Sequence, residues 1–144
     1  IKSSWLCKFF NLLMSDQEEK YNIFNSYDKV ANWYEANKLD NFSEKEPFLS
    51  YIVNLLDQNS HILDLGCGTG VPIAKYFYDL GYKITAIDGS FEMIKKIKHN
   101  LPHVYDLNIN MLDIDKELNS KFDAIIMWDS LFHLSPNEQK MIFA

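Results

Sequence analysis

The chain has 144 residues and a formal net charge of -6, with 47% hydrophobic and 24% charged residues; these proportions describe one folded domain and exclude a disordered chain. Folding at this length buries roughly 70% of the unfolded chain's surface, enough for a core, and no stretch reaches the roughly 20 consecutive apolar residues of a membrane span. All 14 basic residues are lysine, so the acidic balance and the lack of guanidinium clamps argue against a nucleic-acid binder, while Cys7 and Cys67, far apart, offer no disulfide framework and point to a reducing cytoplasm.

Residues 1–13 include a short apolar run broken by Lys8 and Asn11, and Met14 precedes a polar, helix-forming stretch, so 1–13 reads as a possible upstream extension. Residues 16–38 read as helix broken near Asn25, with Tyr27, Val30, Ala31 and Tyr34 on one face. Ser43 and Glu46 form a capping-box pair ahead of an apolar stripe of Phe48, Ile52, Leu55 and Leu56. His61 to Leu65 is a short apolar run ending in glycine, the pattern of a buried strand. A glycine-rich turn, Gly66 to Gly70, leads into a helix over 71–80 that Gly81 stops.

Residues 83–87 are a second strand, and Ser90 caps a helix carrying Phe91, Ile94 and Ile97, with lysines near its end. Residues 105–111 are a weaker third strand, and 122–128 a fourth that is apolar on both faces. Ser135, Pro136 and Glu138 then supply a cap, a first-turn proline and a capping-box partner for a last helix. Strands alternating with helices predict right-handed βαβ units around a parallel sheet. The apolar fourth strand has no later strand to cover it, and the final helix is cut short at Ala144. The domain is therefore expected to continue beyond this sequence.

The run His61-Ile-Leu-Asp-Leu-Gly-Cys-Gly-Thr-Gly70 carries the chemistry. Glycines there let a ligand approach the main chain, and the following helix start offers free N–H groups. A dinucleotide fingerprint places its third glycine where this chain has Val71. Asp64 is poor company for a pyrophosphate but suits an ammonium, which S-adenosylmethionine carries with a carboxylate, a ribose and an adenine. Asp88 ends the second strand 22 positions after Gly66, the distance at which an acid takes the ribose hydroxyls.

On these residues the chain resembles class I S-adenosylmethionine-dependent methyltransferases of the small-molecule type. Asp64-Leu-Gly-Cys-Gly-Thr-Gly70 is similar to the family's first motif, Ile87-Asp-Gly-Ser-Phe-Glu-Met-Ile94 to its second, Asn110-Met-Leu-Asp113 to its third, and 122–134 to its fourth. The resemblance implies an α/β, Rossmann-like doubly wound parallel sheet of strand order 3-2-1-4 followed by later strands. It divides the chain into a helical lid over 14–42 and a partial cofactor-binding domain over 43–144. The implied cofactor is S-adenosylmethionine. The expected cofactor-binding residues are Asp64, Gly66, Cys67, Gly68, Gly70, Asp88, Gly89, Met93, Leu112, Asp113, Ile114, Trp128 and the lid residue Tyr27. Tyr34 is a further lid candidate, and Lys38 a weaker match to a basic residue of the family's lid.

Several of these positions also have a plainer reading. Met93 at helical spacing fits a core, Trp128 fits core or pocket alike, Asp113 fits a surface turn, and Cys67 fits a small loop residue better than a nucleophile. His133 has the pKa range of a general base and is the one catalytic candidate, although a histidine holding the loop is the simpler reading. No cluster shows metal-ligand spacing. Asp129-Ser-Leu-Phe132 lacks the prolines of DNA amino-methyltransferases, which favours a small-molecule acceptor. The competing readings are a nicotinamide-dependent oxidoreductase and a non-catalytic module that binds cofactor weakly or is completed by a partner.

Overall fold

The computed structural model describes residues 23–37 and 42–143. The expected extension over 1–13, the start of the first helix and Lys38 lie outside the described residues.

Helix α1 (Ile23–Asn37) runs unbroken through Asn25, where a break was expected, and buries Ser26 and Ala31. Helix α2 (Phe42–Val53) contains both Ser43 and Glu46, so the pair does not act as the expected cap. Its inward face is also shifted from the expected one. Leu49 is fully buried, with Ile52, Val53 and Leu56 packed against the core. Phe48 and Leu55 are exposed. The i, i+3, i+4, i+7 set beginning at Leu49 is an equally good helical stripe, and contact with the next helix selects it.

Strands β1 (His61–Leu65), β2 (Lys83–Asp88), β3 (Tyr105–Asn108) and β4 (Ala124–Ile126) form one parallel sheet in the order β3-β2-β1-β4. The expected strand order is the observed one. Helix α3 (Ile73–Asp79) follows the glycine turn, and α4 (Phe91–Asn100) follows β2. A 3-10 turn at Met111–Asp113 and short α5 (Ile114–Glu117) separate β3 from β4; a second 3-10 turn at Leu131–His133 precedes α6 (Pro136–Ile142).

Alternation along β1 assigns its side chains to two cores. Ile62 joins Ile84, Phe77, Ile94 and Ile97 beneath α2, α3 and α4, whereas Leu63 and Leu65 join Ile87 beneath Met111, Ile114, Leu118 and Ile142. The doubly wound arrangement follows from these two apolar faces. Two caps read from sequence are formed: Ser90 accepts from the Met93 N–H, and Ser135 and Glu138 make a reciprocal capping box. Strand β4 is three residues long, shorter than expected, and lies at a sheet edge with Ile125 55% exposed.

Candidate functional site

The carboxyl ends of parallel strands leave a crevice where the chain turns into the next helix, and ligands of such sheets bind there. Here the floor is the turn after β1. The Gly66 and Cys67 N–H groups both donate to the Ile87 carbonyl, at 2.7 and 2.9 Å, tying the turn to β2. The Asp88 carboxylate then braces it from the side: one oxygen accepts from the Gly68 N–H and the other from the Ser90 N–H, each at 2.8 Å.

After β4, Ser130 is buried and donates from its hydroxyl to the Leu65 carbonyl at 2.7 Å. Its Cβ lies where a side chain on Gly66 would stand, 2.4 Å from the position of that absent Cβ. Close approach of two loops requires glycine at this point.

The roof is α1. Asp28 accepts from the Ser90 hydroxyl and from the Glu92 N–H, and Glu35 accepts from Lys96 and Asn100, so the helix is strapped along α4. This places the Phe24 ring over Gly89 and the Tyr34 ring over Gly68, where an added Cβ would come within 3.3 Å of it. Tyr27 reaches furthest, and its hydroxyl lies 2.6 Å from Nε2 of His133.

Between floor and roof is a cavity of about 450 Å³, within the size range of small-molecule sites. Of the residues expected to hold cofactor, Tyr27, Gly66, Gly68, Asp88, Gly89 and Leu112 line it, and so does His133. Asp64, Cys67, Gly70, Met93, Asp113, Ile114 and Trp128 are not among its lining. Asp64 is buried at the end of β1. Cys67 is buried, and burial together with the Asp88 and Asp64 charges raises its thiol pKa well above the usual range, which makes it a poor nucleophile. Gly70 packs against Ile97 and Leu101, and Met93 lies in the core. Asp113 pairs with Lys116 on the surface, and Trp128 packs on Phe48 beneath Lys45.

Eight lining residues were not among the expected site residues: Ile23, Phe24, Asn110, Met111, Asp129, Ser130, Leu134 and Glu138. Asn110 sits in the third motif and turns its side chain to the Leu112 N–H, so its place was readable. Asp129 adopts a left-handed backbone, φ 54, which no single-residue pattern announces.

The electrostatics of the cavity are one-sided. Asp88, Asp129 and Glu138 line it, and among the described residues no lysine does; Lys45 lies 3.9 Å from the Asp129 carboxylate. Burial lowers the His133 pKa to about 4, so its ring is neutral at pH 7. The site thus combines glycine backbone in the cavity wall, a carboxylate at the end of β2 and a negative field. These features fit a ligand with a cationic centre and a sugar. Among the described residues there is no group of three or more potential metal ligands, and no helix long and apolar enough to cross a membrane.

The profile of the family described as "Methyltransferase domain" matches residues 62–144, more than half of the sequence. The chain belongs to the methyltransferase domain family. Its fold is that of the class I, S-adenosylmethionine-dependent enzymes, and S-adenosylmethionine is their cofactor.

Solved structures agree with the fold of this methyltransferase domain. It is similar to a TehB-like S-adenosylmethionine-dependent methyltransferase from Corynebacterium glutamicum, at 18% identity and TM-score 0.60, over 77% of this chain and 64% of the other. A complex of DhpI with S-adenosylhomocysteine matches at 20% identity and TM-score 0.68, over 90% of this chain and 62% of the other. An amino pentose methyltransferase of calicheamicin biosynthesis from Micromonospora echinaspora matches at 20% identity and TM-score 0.57, over 69% and 42%. The methyltransferase domain thus spans less than two thirds of the length of each. A comparison with curated protein sequences finds no match.

Proposed function

We propose that this methyltransferase domain holds S-adenosylmethionine in the cavity beneath α1 and directs its methyl group to a small-molecule acceptor. The observation that carries this reading is the roofed, acidic cavity of about 450 Å³ floored by Gly66, Gly68 and Asp88. The roof strapped along α4 narrows the space above the floor among the described residues, which favours a small acceptor. The DhpI complex and the amino pentose methyltransferase, named for small ligands, agree with it.

The cofactor, when bound, supplies a methyl group already activated by its sulfonium. The chain's own residues bind and orient. In this reading the Gly66–Gly68 backbone receives the amino-acid end, and Asp88 takes the ribose hydroxyls. The Asn110–Leu112 segment meets the adenine edge, while Tyr27 and Tyr34 close over the top and exclude water. Asp64, buried near the end of β1, adds to the negative field. Alignment of acceptor and methyl along one line is the main task left to such a site, and orientation of this kind lowers barriers by roughly 7–11 kcal/mol in favourable cases. The proposal places the chain in the cytoplasm, in keeping with its two distant cysteines.

The test is calorimetric titration with S-adenosylhomocysteine and, in parallel, NAD, repeated on Asp88→Ala. Binding of the first ligand alone, with Kd on the order of micromolar and weakened at least tenfold in the variant, is the expected result. Tighter binding of NAD would favour the oxidoreductase reading and overturn this one.

A further inference from the structure

Gly89 follows Asp88 directly and lines the cavity with it. Its backbone lies outside the left-handed region, unlike that of Gly66, Gly68 and Gly70. The backbone at residue 89 therefore makes no demand for glycine. What forbids a side chain there is Phe24. A Cβ on Gly89 would stand 1.9 Å from Cε1 and 2.2 Å from Cδ1 of that ring, and its three nearest atoms all belong to Phe24.

The ring is held in this seat by its own helix. Asp28 stands one turn on from Phe24, on the same face of α1. It accepts from the Ser90 hydroxyl and the Glu92 N–H, immediately beyond Gly89. Phe24 is half-buried and lines the cavity together with Gly89, Asn110, Met111 and Leu112. Asn108, two residues before Asn110, donates to the Asp88 carbonyl at 3.0 Å, which brings the 110–112 segment to the same corner. An apolar ring thus stands where a side chain of residue 89 would be, next to the Asp88 carboxylate, but it is delivered by the roof.

We propose, building on the methyl-transfer reading, that Phe24 takes the part of the side chain that residue 89 lacks: its ring is the apolar wall against which the purine of the bound cofactor packs, and it makes the site selective for a ligand that carries a base. A carboxylate that takes the ribose hydroxyls fixes where the sugar lies, and the base joined to that sugar must lie close by. The corner beside Asp88 and Gly89 offers it the Phe24 ring. A flat heterocycle suits such a wall, since every base presents a π-face to an aromatic ring. Ribose and base are then gripped by different layers, the sugar by the floor and the base by the roof. A ligand without the base forgoes the roof's share at this corner.

The probes are S-adenosylhomocysteine and S-ribosylhomocysteine, which keeps the ribose and the amino acid and lacks the base. Both are titrated by calorimetry into the full chain. Phe24→Ala should weaken S-adenosylhomocysteine about five- to hundredfold, the range for loss of one base–aromatic contact, and leave S-ribosylhomocysteine unchanged. Gly89→Leu moves an apolar side chain from roof to floor. Alone it should weaken S-adenosylhomocysteine, because it collides with the ring; added to Phe24→Ala it should restore part of the lost affinity. Thermal melts check that the variants fold, and Phe24→Leu, which keeps apolar bulk without the ring, repeats the test with a smaller disturbance. Equal losses of the two ligands in Phe24→Ala would make Phe24 a fastening of the roof and overturn the proposal. So would no loss, a double variant no better than Phe24→Ala, or a base-free ligand that the unchanged chain binds as well as the complete one. A chain that binds S-adenosylhomocysteine without regard to residue 24 loses this inference alone. A chain that does not bind it at all loses the methyl-transfer reading on which this one rests.

Discussion

Gly70→Ala separates packing from ligand contact at a glycine that the motif alone would assign to the cofactor. The Gly70 backbone has φ +76, and an added Cβ would lie 2.7 Å from the Ile97 side chain and 3.0 Å from that of Leu101. Ile97 and Leu101 are themselves 0% and 1% exposed, so neither can swing into water to make room. A left-handed backbone on a residue with a Cβ costs roughly 1–2 kcal/mol, and overpacking adds about 1–3 kcal/mol. The expected loss is about 2–5 kcal/mol, or a fall in Tm on the order of 10 °C for a domain of this size. Gly81→Ala is the internal control: its φ is +88, but nothing lies within 4 Å of its Cβ position. It isolates the backbone cost of roughly 1–2 kcal/mol. Urea and thermal unfolding of the two variants side by side measure the difference. Equal losses, or a smaller loss for Gly70→Ala, would show that the Ile97–Leu101 contact does not restrain this turn.

Two further outcomes follow from the site's surroundings. Asp28→Ala removes the acceptor shared by the Ser90 hydroxyl and the Glu92 N–H; it should cost about 1–2 kcal/mol and raise amide exchange in α1 more than in β1, as read by hydrogen exchange. His133 protonates near pH 4 when folded against an ordinary value of 6.5, so between these limits the unfolded chain binds the extra proton. Stability should be complete above about pH 6.5 and decline as pH falls towards 4, by roughly 1–2 kcal/mol after discounting for a half-buried ring. His133→Gln should flatten that limb of a urea-denaturation series, and an unchanged slope would refute the assignment.

Much of this architecture is written in local pattern. The order of the strands follows from apolar runs separated by helical stretches, and Ser90, Ser135 and Glu138 announce caps because capping is settled within four residues. The glycine turn and Asp88 are readable for the same reason: each ends a strand. What the pattern does not contain is the meeting of distant elements. The Tyr27–His133 contact, the Phe24 ring over Gly89 and the Ser130 hydroxyl on Leu65 depend on how α1 and the segment after β4 dock on the sheet. Helix α2 shows the other limit. Its sequence offers two overlapping apolar stripes, and only packing against α3 chooses Leu49 over Phe48. Gly70 and Met93 carry the family's motif while facing the core, since a motif records that a residue is needed and not which side of the backbone needs it.

The strap formed by α1 has a kinetic consequence. Its ties to α4 span 61 to 65 positions, and its tie to the turn after β4 spans 106. Contacts that close such long loops are entropically expensive and reward the chain late. Pairing of β1 with β2 and of β2 with β3 closes spans of only 22 and 20 positions, so those strands can assemble first and the Tyr27–His133 tie is the natural late contact. Until it is made, the glycine turn and Asp88 form an open ledge with no chamber above them. The chamber in which a ligand would be enclosed is thus completed by a contact that spans 106 positions. Undocking the roof to admit a ligand then retraces the closing move of folding, with the sheet beneath left intact.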